Sequence, residues 1–298
     1  MDFQRLRTFR TVATLMNFNQ AAQVLNYAQS SISAQIKTLE DEIGAQLFKR
    51  TGKKVTLTEA GEKMLKYAHK LLAIEEEARA EIAGKPKVPY LLTLRMPQTV
   101  ATYHLPAVLS DFRLRFPATC LDISSCALYS LEHELSIGTV DLAFLLAESV
   151  DAANLSFELL KVESLVLATF PGNPLAQKNP ATYSDLRDQT LLLPKADCGY
   201  RMMFEQALTA ERIIPAAVIQ MNSIEAIKKT VMQGMGLTII PEIAVREELK
   251  QNQLVKLTWA EDLETGVCMI WHKDKGFSPD LIALMNSFRK NLMQAGKY

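Results

Sequence analysis

A chain of 298 residues is longer than a single hydrophobic core usually supports, so two or three units are expected. With 48% apolar residues, 22% charged residues and no net charge, the composition is that of an ordinary globular protein, neither disordered nor basic throughout. Met1 to Arg10 hold three arginines and no apolar run, and no later run could span a bilayer, which argues against a secretory leader or membrane anchor and for a cytoplasmic protein.

The charge is unevenly spread. Residues 1–54 carry eight basic against four acidic side chains, a net +4, and the remainder carries −4. A basic head on an acidic body suits a small module that meets a polyanion. In that head, Leu6, Phe9, Val12 and Ala13 recur at helical spacing, then Ala21, Ala22, Val24 and Leu25, then Ile32, Ile36, Leu39 and Ile43. The short polar link Asn26-Tyr27-Ala28 joins the second and third helices as in a helix-turn-helix. Opposite the isoleucine stripe the third helix shows Ser30, Ala34 and Lys37, flanked by Ser33 and Thr38, a face thin enough to enter a major groove. Gln29 at its leading end reaches base edges, and Ser30, Ser31, Ser33 and Lys37 reach bases or phosphates. Gln46 to Leu57 then reads as a β-hairpin wing. Its Gly52-centred turn carries Lys49, Arg50, Lys53 and Lys54, of which Arg50, Lys53 and Lys54 are candidate phosphate contacts. A plain three-helix domain with a charged loop is the alternative.

From Thr58 to Ile82 there is no proline, and Gly61 is the only glycine. Leu57, Met64, Leu71 and Ala78 fall every seven residues with Ala60, Tyr67 and Ile74 between them, and Leu65, Ala68 and Leu72 lie alongside. That is a heptad seam, which predicts self-association into a homodimer or homotetramer; a helix packed on its own domain is the alternative. Gly84 to Pro89 breaks the helix. The expected units are a DNA-binding domain over 1–58, a dimerising helix over 59–84 and a body over 85–298.

In the body, short apolar runs alternate with amphipathic stretches. Strands are predicted at Leu91–Met96, Cys120–Ser124, Asp141–Leu146, Ser164–Thr169, Thr190–Leu193, Ala217–Met221 and Leu237–Ile240. Helices are predicted at His104–Phe116, Leu131–Ile137, Tyr200–Glu211 and Ile224–Gln233. This order implies α/β units with parallel strands, in two similar halves with a cleft between them.

Several of these segments form a recognisable series. Phe18-Asn19-Gln20-Ala21-Ala22, Leu25, Gln29-Ser30-Ser31-Ile32-Ser33, Gln35-Ile36, Leu39-Glu40, Ile43-Gly44, Leu47-Phe48, Arg50, Leu57-Thr58 and Ala60-Gly61 closely resemble the signature of LysR-type transcriptional regulators. Pro97 to Pro106, Leu135-x-x-Gly138-x-x-Asp141-Leu142-Ala143, Pro171 to Ala176 and Gly234 to Pro241 resemble segments of that family's effector domain. Two positions depart from the pattern: Ala28 stands where a capping serine is usual, and Ser30 where proline is frequent.

The resemblance implies a winged helix-turn-helix, a linker helix and two Rossmann-like subdomains of the periplasmic-binding-protein type. Lobe one would span 90–161 and 268–298, and lobe two 162–267. The implied function is promoter binding or bending modulated by a small co-inducer, with double-stranded DNA, the effector and a second copy as partners and no resident cofactor. The implied effector site takes in Gln98, Thr99, Val100 and Thr102, where Thr99 opens a helix, together with Leu128, Ser130 and Arg201. Leu128 replaces a usual hydroxyl residue, which points to a less polar ligand or a different pose. Arg201, in a loop expected to face the cleft, either grips a carboxylate or makes a structural ion pair.

Other chemistries find little support in the residues. Cys120, Cys126, Cys198 and Cys268 form no C-x-x-C pair, the four histidines are scattered, and Gly234-Met235-Gly236 is followed by a strand and Pro241 instead of a dinucleotide-binding helix. An enzyme or exported solute-binding protein is therefore the weaker reading. A redox sensor built on Cys198 is a third.

Overall fold

The computed structural model describes residues 1–51, 54–82, 91–125, 128–147 and 153–293. Three helices open the chain: α1 (Phe3–Leu15), α2 (Phe18–Leu25) and α3 (Gln29–Ile43). Asp2 caps α1 by accepting from the Arg5 amide at 2.7 Å, and the Asn17 side chain accepts from the first amides of α2. Leu6, Phe9, Val12, Ala21, Ile32, Ile36 and Leu39 close one core with Leu47 and Phe48. The Phe48 ring meets Phe9 and Phe18 with centroids 5.4 and 5.5 Å apart. The buried stripe of α3 stops one turn short of expectation, because Leu47 and Phe48 fill the core beyond Leu39 and leave Ile43 39% exposed.

The wing pairs β1 (Phe48–Thr51) with β2 (Lys54–Leu57), Phe48 facing Leu57 and Thr51 facing Lys54. Glu40 of α3 accepts from the Leu47 amide at 2.7 Å and the Phe48 amide at 3.2 Å, which ties the wing to the helix. Helix α4 (Glu59–Ile82) then starts behind Thr58, whose hydroxyl accepts from the Gly61 amide at 3.0 Å and donates to the Gln46 carbonyl at 2.6 Å. Gly61 is required here, since a Cβ would stand 2.0 Å from the Leu47 carbonyl oxygen.

The apolar seam of α4 divides in two. Leu65, Ala68 and Leu72 are buried in the core of the N-terminal module, with Leu57, Ala60, Met64 and Leu71 partly buried against it. Own-domain packing therefore holds for that side. Tyr67, Ile74 and Ile82 line the other side and are 59%, 62% and 87% exposed. The Gly84–Pro89 hinge lies outside the described residues.

The body contains β3 (Leu91–Met96), α5 (Gln98–Tyr103), α6 (Leu105–Arg115), β4 (Cys120–Ser125), α7 (Leu128–Ser136), β5 (Leu142–Leu146) and β6 (Leu155–Thr169). It continues with β7 (Thr190–Leu193), α8 (Gly199–Ala210), β8 (Ala217–Gln220), α9 (Ile224–Met232), β9 (Leu237–Pro241), α10 (Arg246–Lys250), β10 (Val255–Lys256), β11 (Leu263–His272) and α11 (Pro279–Met293). One sheet runs β4-β3-β5-β11-β6-β9-β7-β8, with β10 beside β6. The units β4-β3-β5 and β8-β7-β9 are parallel, as the alternating pattern requires. Between them β6 and β11 run antiparallel and pass from one half into the other: β11 pairs β5 over Val267–Ile270, and β6 pairs β9 over Leu165–Thr169. The chain thus crosses between the halves twice, and residues 162 and 267, taken above as lobe limits, lie inside these two strands.

Candidate nucleic-acid interface and effector cleft

The outward face of α3 is polar from end to end. Gln29, Ser30, Ser31, Ala34, Lys37 and Thr38 are exposed and Ser33 is half-buried, while Ile32, Ile36 and Leu39 anchor the other side. Thr8 donates to the Gln35 side-chain carbonyl at 2.6 Å, fixing the rotation of α3 on α1. Ala28 holds the N-cap position without a side-chain bond, as its lack of an acceptor demands. Ser30 does not replace it: the helix already begins at Gln29, and the Ser31 and Ile32 amides bond the Ala28 carbonyl. The Gln29 amide nitrogen donates to Ser33 Oγ at 2.8 Å, leaving its carbonyl and second N–H for the acceptor and donor of an adenine edge. Arg50 and Lys54 lie on the two strands of the wing, and Lys53 is outside the described residues. Lys37 and Lys49 share a groove between α3 and the wing with Glu40 and Asp41.

Helix α5 bonds to both α9 and the turn after β9, and so bridges the two halves of the body. Pro97 occupies the cap position of this helix, so Thr99 is its second residue and not its cap, which corrects the expectation that Thr99 opens it. Thr99 and Val100 are buried, and Thr102 is exposed. Gln98 reaches across: its side-chain carbonyl accepts from the Ile224 amide at the start of α9, at 2.8 Å. Tyr103 packs on the core of the second half and donates to the Ala244 carbonyl at 3.1 Å. Beneath it Lys228, with a side chain only 5% exposed, bonds the Ala244 carbonyl at 3.0 Å, Glu248 at 2.8 Å and Glu225 at 2.7 Å. Burial works against that ammonium charge, yet Glu225 and Glu248 hold its pKa above the usual lysine range.

A second polar group sits where β6 and β11 cross. Glu163 Oε1 lies 3.0 Å from His104 Nε2 and 2.8 Å from Lys161 Nζ. Burial pushes this carboxyl up, but the bonds from His104 and Lys161 outweigh it and hold the group below its ordinary value. Thr265 faces Glu163 across the ladder, and its buried hydroxyl has no hydrogen-bond partner among the described residues.

Residues 3–62 match the model of the bacterial regulatory helix-turn-helix proteins of the lysR family, and residues 89–293 match the LysR substrate binding domain. The chain belongs to the LysR family. It is 35% identical over 291 residues to the uncharacterized HTH-type transcriptional regulator YwqM of Bacillus subtilis, covering 97% of this chain and 99% of that one. It is 30% identical to YfiE of Escherichia coli, over 94% of each. Its fold matches ArgP of Mycobacterium tuberculosis at a TM-score of 0.77 and 21% identity, over 100% of this chain and 99% of that one. Full-length OxyR of Pseudomonas aeruginosa matches at 0.71 and 24% identity, over 97% and 95%. This LysR-family protein is therefore a DNA-binding transcriptional regulator with an effector-binding domain, not an enzyme. Among its described residues no helix is long and apolar enough to cross a membrane.

The residues singled out from sequence divide sharply in this LysR-family structure. The candidate DNA-contacting residues on α3 share one solvent face. Of the candidate effector residues, Gln98, Ser130 and Arg201 are engaged by neighbouring groups. Arg201 is buried in the first turn of α8, not in a loop, and its guanidinium is engaged by Glu205, Gln220 and the Pro194 carbonyl. Four of its five N–H groups are taken up by these neighbours. Ser130 donates to Glu134 at 2.6 Å, one turn along its own helix. Leu128 starts α7. Burial raises the Cys198 thiol to about 11, so it is scarcely ionised at neutral pH and poorly suited to redox sensing. Tyr103, Glu163, Lys228 and Thr265 were not singled out from sequence, since Tyr103 meets Ala244, Glu163 meets His104 and Thr265, and Lys228 meets Glu248, all distant in the chain.

Proposed function

We propose that this regulator binds promoter DNA through the serine-and-lysine face of α3, with Gln29 reading bases and Arg50, Lys53 and Lys54 of the wing holding phosphates. The exposed face of α3, opposite the buried Ile32, Ile36 and Leu39, carries this reading. Footprinting on DNA upstream of its own gene tests it: a protected site is expected, and no protection at moderate salt would overturn it. The working unit is a homo-oligomer built on α4, because Tyr67 and Ile74, one heptad apart, and Ile82 beyond them leave an apolar edge bare. Tyr67→Glu with Ile74→Glu should lower the sedimenting mass to that of one chain, and an unchanged mass refutes the assignment.

The effector is a small polar molecule seated beside α5, with Thr99 and Thr265 supplying hydroxyls and Gln98 marking the first turn of α9. Neighbouring folds support a small-metabolite ligand: LysG of Corynebacterium glutamicum was solved with bound effector Arg, at a TM-score of 0.69 and 18% identity. With Arg201 and Lys228 already engaged, the ligand is gripped mainly by hydroxyls and backbone amides, and no resident cofactor is required. A thermal-shift screen of amino acids, carboxylates and uncharged metabolites should give a concentration-dependent rise that Thr265→Val abolishes. A rise unaffected by Thr265→Val would remove that residue from the site. The protein works in the cytoplasm, where its DNA is.

A further inference from the structure

The first half of the body rests directly on the linker helix. Ile137, just past α7, is 9% exposed and belongs to the same apolar cluster as Leu65, Ala68 and Leu72 of α4 and Leu6 and Phe9 of α1. Lys66 of α4 bridges to Asp274, beyond β11, at 3.1 Å. One turn on from Lys66 stands His69. Its Nδ1 is buried beside the Gly138 backbone and makes no well-formed hydrogen bond among the described residues. Gly138 lies against it with φ +75°, and a Cβ there would come within 3.4 Å of Nδ1, so the contact favours glycine on two counts. The charged groups facing the imidazole are Arg10 of α1, Lys275 after β11 and Asp141 before β5; Asp141 is already paired with Lys275.

We propose that this joint couples the ligand-binding half of the body to the DNA-binding module, and that protonation of His69 releases it. A neutral imidazole fits the site; an imidazolium would be repelled by Arg10 and Lys275, while Asp141 is already paired with Lys275. Burial first, then Arg10, depress the proton affinity of His69 in the docked state, with Lys275 adding to the effect, and the Gly138 backbone and Asp141 only partly oppose this. Once undocked, the ring returns to the ordinary histidine value of about 6.5. A proton therefore prefers the undocked form. The docked form is fully favoured above that ordinary value and loses ground as pH falls from it toward the lower docked-state value. One proton shifts the equilibrium by at most about tenfold per pH unit.

Hydrogen exchange on the full-length chain between pH 7.5 and 5.5, corrected for the intrinsic rate, reads the joint without needing an effector or operator. In the wild type, protection of residues 64–72 and 135–141 should fall with pH by up to about tenfold per unit. In His69→Gln, which stays neutral, it should not change. Wild-type protection that ignores pH overturns the proposal, and so does an equal loss in His69→Gln. Should that variant fail to fold, NMR titration of the wild-type chain decides between the outcomes: a His69 ring that titrates at or above the ordinary value also refutes it. DNA affinity measured in parallel separates this coupling from the DNA-binding assignment, which would stand if only the exchange result failed.

Discussion

Lys228 offers a test of how the two halves are held, because it is a buried cation whose every partner is known. Lys228→Met keeps most of its volume and removes only the charge and its hydrogen bonds. The Ala244 carbonyl would stay satisfied by the Tyr103 hydroxyl, and Glu225, half exposed, would return to water at little cost. Glu248 is the group left stranded, with a side chain only 14% exposed and its cation gone. Breaking a buried pair from one side costs about 3–5 kcal/mol, and the partial exposure of Glu248 places this case near 3. For a domain of this size such a loss lowers Tm by roughly 6–12 °C. Calorimetry of the full-length chain should show that drop in the transition of the body and leave the N-terminal module untouched. Lys228→Met combined with Glu248→Gln should recover most of it, since the stranded charge is then absent. A single variant that melts within about 2 °C of wild type, or a double variant no better than the single, would refute the reasoning.

Glu163 should set part of the acid limit of the body. Its folded carboxyl lies below the ordinary value, so its contribution is present above about pH 4.3 and disappears as pH falls through the folded value. Glu163→Gln should flatten the fall in Tm between pH 6 and 3, and parallel curves would contradict this. Gly61→Ala should destabilise the N-terminal module by at least about 2 kcal/mol, because the new methyl meets the rigid Leu47 carbonyl; an unshifted first unfolding transition would count against the packing described. Lys37→Ala should weaken binding to all DNA sequences and reduce the salt slope by about 1, whereas Gln29→Ala should mainly relax preference at one base pair. Identical effects of the two substitutions would undo the division of roles on α3.

Much of the N-terminal module could be read from the chain because its signals are local. Ile32, Ile36 and Leu39 lie within two turns of one another, and the wing is a hairpin closed within ten residues. The body was harder. The apolar run at Leu165–Thr169 marks only the last third of β6; before it, Glu158, Lys161 and Glu163 interrupt the pattern, because that stretch has β11 on one side and solvent or polar partners on the other. Strand β11 and helix α11 went unassigned, although Val267 to Trp271 is the unbroken apolar run of a strand covered on both faces. At the cleft the difficulty is distance along the chain. Gln98 meets Ile224, and Tyr103 meets Ala244, 141 positions away, and nothing local at either end announces the partnership. Arg201 shows the converse: its chemistry was legible in the sequence, but not that Glu205 and Gln220 would engage it.

That β6 and β11 run on through both halves restricts how this regulator can answer an effector. A pair of lobes tethered by flexible cords could swing apart like a shell, but ladder bonds shared along two long strands resist such opening. What such a ribbon tolerates is a change of coil, turning one half relative to the other about the strand direction, with the slip in register between Val267 and Cys268 as the point of least resistance. A message carried by torsion reaches the far end of the molecule as a change in angle, with little change in width.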